Sequence, residues 1–212
     1  MLDYSQPYEN TGETELARYL DRPGQPILPS VISFPLKQEI KSVFAQGQPA
    51  AQLAYRLEQH MATFPDPYIV PTIVDNHDVA RFLATGSMDG FKQAFGLIFT
   101  VPGIPTIYQG SEQGFTETRQ AMFAGGFGAE SDHYDTGTEL YRYLAALADL
   151  RKKHPALRRG SFEVLGANQH ESGLLAYRRR EGAEVLDILF NTSDQPILVD
   201  RLALPGVAER AV

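Results

Sequence analysis

Residues 72–82, TIVDNHDVARF, set a short apolar run against four consecutive polar groups, Asp75, Asn76, His77 and Asp78, with Arg81 three residues beyond. A strand that stops abruptly in such residues brings carboxylate, amide and imidazole to one point, as the C-terminal ends of parallel strands do when they build reactive sites. Two quieter readings stand beside this one. Asp78 suits the N-cap of a following helix, a common task for Asp, and a lone loop histidine such as His77 is more often simply hydrogen-bonded in place. A second run, GIPTIY at 103–108, opens into QGSEQGF at 109–115 and adds Tyr108 and Glu112. A third group, Asp132, His133 and Asp135, has the oxygen and nitrogen donors a divalent metal takes. Its Gly-rich flanks and the lack of further ligands favour a solvated loop, so no metal site is assigned.

The elements that must position these groups follow from periodicity. Between the two strand-like runs, Phe91, Ala94, Phe95 and Ile98 fall on one helical face, and Pro102 with Gly103 stops it, giving strand, helix, strand. Pro71 lacks a ladder donor, so residues 72–74 are the firm part of the first strand. Upstream, residues 11–29 are rich in Gly, Pro and charge and suit a surface loop, and residues 31–34 read as a short strand. Leu36, Ile40, Val43 and Phe44, then Ala50, Leu53, Ala54, Leu57 and Met61, predict two helices parted at Gly47. Downstream, TGTE at 136–139 is a capping box. It opens a helix striped by Leu140, Tyr143, Leu144, Leu147 and Leu150, with Arg151, Lys152, Lys153 and His154 complementing the dipole of its last turn and Pro155 ending it. Past Gly160 the period shortens to two, predicting strands at 162–165, 174–179, 185–190 and 197–199 and a domain boundary near Arg159. Arg178, Arg179 and Arg180 read as a solvated edge that resists pairing.

The run 72–82 resembles the Asn-His-Asp motif after the seventh strand of the α-amylase family of glycoside hydrolases (family 13), and the run 103–115 resembles that family's Gly-Ile-Pro, Tyr, Gly, Glu stretch at the eighth. The two stand in order at the family's spacing, and the likeness extends over nearly the whole chain after Pro29. The resemblance implies an α/β fold, the C-terminal portion of a (β/α)8 TIM barrel, with residues 1–159 holding about strands six to eight and residues 160–212 an incomplete β-sandwich. It implies that Asp78 stabilises an oxocarbenium-like transition state, that His77 donates to a sugar hydroxyl, and that Asn76 and Arg81 line the substrate, Asn76 chiefly bracing its loop. Tyr108 and Glu112 become site-loop residues at the barrel mouth, with a structural task preferred.

The family also needs a nucleophilic Asp after its fourth strand and an acid/base Glu after its fifth, because retaining hydrolysis uses two carboxylates about 5 Å apart. Asp21 lies one residue out of register for the first, and Glu163 belongs to the β-rich tail. If residues 31–36 are the sixth strand, the acid/base falls just before Met1. The chain therefore reads as the C-terminal part of a longer enzyme on α-glucans or maltooligosaccharides, by hydrolysis or transglycosylation, and inactive alone. A non-catalytic, amylase-like binding scaffold is the alternative. Calcium, where the family uses it, belongs to the part not represented here, and the open strands imply self-association or a need for the N-terminal half.

Composition bounds what remains. With 212 residues, 43% of them hydrophobic, the chain can bury a core. A net charge of −7 argues against nucleic acid or an anionic membrane as partner, since both attract basic patches. The first residues lack the basic and apolar regions of a signal peptide. The absence of cysteine excludes disulfides and thiolate chemistry and leaves cytoplasmic, periplasmic and secreted locations all open.

Overall fold

The helical stripes of the sequence all become helices in the computed structural model, which describes residues 6–20, 24–25 and 27–199. In chain order these residues form α1 (Thr11–Ala17), α2 (Phe34–Gln46), α3 (Ala50–Thr63), β1 (Pro71–Ile73), α4 (Met88–Thr100), β2 (Ile104–Thr106), α5 (Glu139–Lys153) and α6 (Pro155–Arg159). Strands β3 (Ser161–Ala167), β4 (Leu174–Glu181) and β5 (Glu184–Asn191) follow. Helix α2 ends at Gly47, whose φ of 67° closes the last turn in the left-handed region where a side chain would be strained. Ser87 caps α4 by accepting from the Gly90 N–H.

Strands β1 and β2 pair in parallel, Pro71 opposite Ile104 and Ile73 opposite Thr106, with α4 as the crossover. Gly103 allows this approach: its φ is 124°, and a Cβ there would lie 2.7 Å from Thr72 Cγ2 and 2.8 Å from the Val70 carbonyl oxygen. Pro71 is tolerated as the first residue of its strand, where it gives an acceptor rather than a donor. Strands β3, β4 and β5 form an antiparallel sheet with β4 in the centre. Leu175 and Tyr177 of β4 join Phe91, Phe95 and Ile98 of α4, Leu36 and Ile40 of α2, Leu53 and Leu57 of α3, and Leu140 and Leu144 of α5 in one apolar core. The sheet thus packs on helices.

Several expectations are corrected. Residues 31–33 form no strand, although the Ser33 N–H donates to the Pro71 carbonyl at 3.1 Å, and the helix starts at Phe34 because Pro35 is pre-set for a first helical turn. Residues 11–17 of the expected surface loop are helix α1, because a buried cation demands an anion: Arg56 of α3 grips the buried Glu13 at 2.8 Å. The capping box is out of register by two. Thr138, not Thr136, caps α5 by accepting from the Tyr141 N–H, while Glu139 pairs with Lys92. Residues 197–199 form no strand, and among the described residues a single three-stranded sheet, not two facing sheets, follows Gly160.

The basic run is no edge either. Arg179 is fully buried on the central strand and donates to the carbonyls of Thr100, Gly160 and Ser161, while Arg178 makes a bidentate pair with Asp187 directly across on β5. Arg151 of α5 leaves the dipole task to its neighbours and turns inward, donating to the carbonyls of Phe99, Val101, Leu157 and Gly103. Burial holds both guanidinium groups down to about 10. Among the described residues no helix is long and apolar enough to cross a membrane.

Candidate active site

At the end of β1 the four polar residues divide, two turning inward and two outward. Asp75 is buried: its Oδ2 accepts the Phe82 N–H at 3.0 Å, and its Oδ1 accepts Ser111 Oγ at 3.2 Å and Arg81 Nη1 at 3.4 Å. Asn76, also buried, folds its side chain back so that Oδ1 accepts the Asp78 N–H at 3.0 Å, an Asx turn. That bond fixes the chain where it reverses. His77 and Asp78 consequently face solvent with 59% and 55% of their side chains exposed, His77 Nε2 lying 3.3 Å from Asp78 Oδ1.

Arg81 joins the two strand-end loops. It has no exposed surface, and its guanidinium donates to the carbonyls of Gln109, at 2.6 Å, and Glu117, at 3.3 Å, while lying 4.0 Å over the Tyr108 ring. Its donors are engaged within the protein, toward Asp75 and Ser111 as well as the two carbonyls. Tyr108 is clamped from its other end, the hydroxyl donating to the Thr118 carbonyl, and its ring stands 6.1 Å from that of His77. Glu112 accepts Thr138 Oγ1 on its carbonyl. Its side chain lines a cleft of about 450 Å3 between Ile107 and α5 whose lining includes neither His77 nor Asp78.

Asp78 does not cap a helix. The next helical turn, Phe82–Ala84, follows Arg81 and has its first N–H taken by Asp75, and Ser87 serves α4. Asp132 and Asp135 each accept a backbone N–H at 2.7 Å, from Ala124 and Gly137, so both serve their own loop. Among the described residues no three His, Asp or Glu side chains gather to hold a metal.

Chemically, an exposed carboxylate beside an exposed imidazole offers an acceptor and a donor to neighbouring hydroxyls, together with negative charge for a developing cation. It offers neither a nucleophile with an acid partner nor a second free carboxylate in the same run, since both Asp75 oxygens are engaged. Three contributors escaped the sequence reading: Asp75 as the inward anchor, Ser111 as its partner, and Arg119, whose Nε donates to the His77 carbonyl at 3.2 Å. Nothing periodic in the sequence marks Asp75 as the anchor, or Ser111 and Arg119 as its companions.

Residues 29–125 match the family described as the α-amylase catalytic domain. The β/α-amylase of Paenibacillus polymyxa is 33% identical over 156 residues, which cover 69% of this chain and 12% of that protein. A cyclomaltodextrin glucanotransferase of Paenibacillus macerans is 30% identical over 185 residues, covering 83% of this chain and 24% of that protein. Among solved structures, an Anoxybacillus α-amylase superposes with a TM-score of 0.71 at 26% identity, over 88% of this chain and 40% of that one. The chain thus spans well under half the length of each, and its helix-crossed parallel pair is a TIM-barrel-derived unit.

Proposed function

The chain belongs to the α-amylase family of glycoside hydrolases (family 13), and on that premise we propose that it supplies the C-terminal part of a retaining α-glycosidase acting on α-glucans or maltooligosaccharides. The observation that carries this reading is the division at β1: Asp75 and Asn76 are spent on the frame, while Asp78 and His77 face solvent side by side. In the reaction, Asp78 accepts hydrogen bonds from sugar hydroxyls and holds negative charge near the oxocarbenium-like transition state, and His77 donates to a hydroxyl of the same ring. Asn76 orients Asp78. Arg81, Tyr108 and Glu112 fix the loops that carry them.

The nucleophile and the acid/base come from outside these 212 residues, and whether water or a sugar accepts the glycosyl group is decided there as well. Residues 1–159 are assigned to the barrel and those from 160 to a C-terminal β domain. Incubated with maltoheptaose or soluble starch, the isolated chain is expected to release no reducing sugar. Turnover that Asp78→Ala abolishes would place the full machinery inside the chain, and glucan binding by a whole protein that lacks turnover would favour a non-catalytic scaffold.

The isolated chain is also expected to self-associate. Strands β1 and β2 form a sheet of two, and Ile104 and Ile107 beside them are 48% and 41% exposed. Binding of a hydrophobic dye such as ANS and an oligomeric elution profile are the expected results. A monodisperse monomer without dye binding would contradict them.

A further inference from the structure

Glu13, Glu39 and Arg56 lie together where α1 rests on α2 and α3, and all three are buried. One guanidinium therefore serves two carboxyls, and it serves them unequally. Arg56 Nη1 donates to both oxygens of Glu13, at 2.8 and 3.0 Å, and to the Glu9 carbonyl at 2.8 Å, while Nη2 donates to the Gln6 carbonyl at 3.1 Å. Glu39 stands off, its Oε2 lying 4.0 Å from Nη2. Its Oε1 and the Nε of Arg56 are shielded from solvent, and neither has a hydrogen-bond partner among the described residues. The pair thus holds one acceptor and one donor in reserve.

Two carboxylates share one buried cation only at a cost, because the second gives up its water without gaining a full partner. Burial pushes the Glu39 carboxyl up to about 7, against the pull of Arg56 and with the added push of Glu13. Those two are the charged groups that act on it from α3 and α1, and among the described residues α4 and β1 bring none. On α2 itself, Lys37 is governed by Lys41 and Asp75. The small groove beside Glu39 is lined otherwise by uncharged side chains, among them Gln38, Gln48 and Gln52.

Glu13 is the partner more easily given up. It sits on α1, a helix of seven residues whose N-cap, Asn10, makes no side-chain cap bond, and so short a helix persists only while it is packed. Glu39 sits within the thirteen residues of α2, which Leu36, Ile40 and Val43 anchor in the core.

We propose that Glu13, Arg56 and Glu39 form a pH-sensitive clasp on the N-terminal segment. While Glu39 carries its proton, Arg56 holds Glu13 and the carbonyls of Gln6 and Glu9. When that proton leaves for solvent, Arg56 turns its unused edge to Glu39 and residues 6–17 loosen from α3. The sign follows from linkage: the docked state holds the proton more tightly than a free carboxyl does, so docking is strongest in acid and weakens as pH rises toward and through about 7. A local change of charge thereby moves a segment between two arrangements. The clasp stands independently of the glycosidase reading.

The test is hydrogen exchange, read by mass spectrometry on peptides from residues 6–20 in a whole protein that contains this chain. Rates are corrected for the intrinsic effect of pH, and peptides of α4 serve as the internal reference. From pH 6 to pH 8 the protection of residues 6–20 should fall by about tenfold, the range over which a linked proton with a midpoint near 7 is lost, while α4 keeps its protection. Glu39→Gln, which keeps the shape and cannot ionise, should leave the segment protected at both pH values. Glu13→Gln, which removes the anion that is released, should leave it poorly protected at both. Protection that stays flat in the parent protein, a fall that survives in Glu39→Gln, or a fall that α4 shares overturns the clasp.

Discussion

The run Arg178, Arg179, Arg180 and the run Asp75, Asn76, His77, Asp78 each crowd polar groups toward the C-terminal end of an apolar strand, and the molecule treats them oppositely. Arg179 is buried and its guanidinium donates to three backbone carbonyls, locking β4 to the end of α4. Asp78 is exposed, and its nearest charged partner is the equally exposed His77. Charge whose hydrogen-bonding capacity is satisfied internally is structural, and charge held out by a neighbour's side chain is available for chemistry. Within the second run the same rule separates Asp75 from Asp78.

Breaking the structural side should give the largest effect. Arg179→Met strands the carbonyls of Thr100, Gly160 and Ser161 in an apolar setting, and a loss on the order of 3–5 kcal/mol in urea unfolding is expected. A loss below about 1 kcal/mol would mean that the sheet needs no such staple. Next comes Asp75→Ala, which removes the acceptor of Phe82 N–H, Ser111 and Arg81 and should cost roughly 2–4 kcal/mol while freeing the loop that carries Asp78.

A subtler test lies at α2. Glu39 is buried, and burial pushes its carboxyl up to about 7 against the pull of Arg56, with Glu13 adding to the rise. The folded state holds this proton between its ordinary value and about 7 while the unfolded chain does not, so Glu39 makes stability fall as pH rises through that window. His60 acts the other way: burial lowers it to about 4, so its contribution grows as pH rises from about 4 toward its ordinary value. The stability of Glu39→Gln relative to the parent chain should therefore increase from pH 5 to pH 7. A flat difference would show that Glu39 is relieved by water. Smallest of all, His77→Ala should change stability by less than about 0.5 kcal/mol, because the side chain is more than half exposed.

Much of the architecture was legible because it rests on local pattern. The stripes of α2, α3, α4 and α5, the strand, helix, strand order of residues 71–106 and strands β3 to β5 all follow from period and punctuation. Two of the failures were local, Pro35 starting α2 early and Thr138 displacing Thr136 as the cap, and the others were decided by partners distant in sequence. Helix α1 depends on Arg56, forty-three residues from Glu13, and the burial of Arg179 depends on Thr100, seventy-nine residues away. The site was half legible. Its residue types marked the place, but which of two aspartates faces outward was set by the Phe82 N–H and by Ser111, and no spacing rule in the run itself encodes that.

Asp78 is proposed to stand open for catalysis and not for folding, and steady-state kinetics of Asp78→Asn in a whole enzyme that contains this chain test that proposal most directly. With maltoheptaose as substrate, kcat should fall on the order of 100-fold or more, as expected for one lost transition-state stabiliser, at an unchanged melting temperature. A near-normal kcat, with stability lost instead, would contradict the account and return Asp78 to the frame.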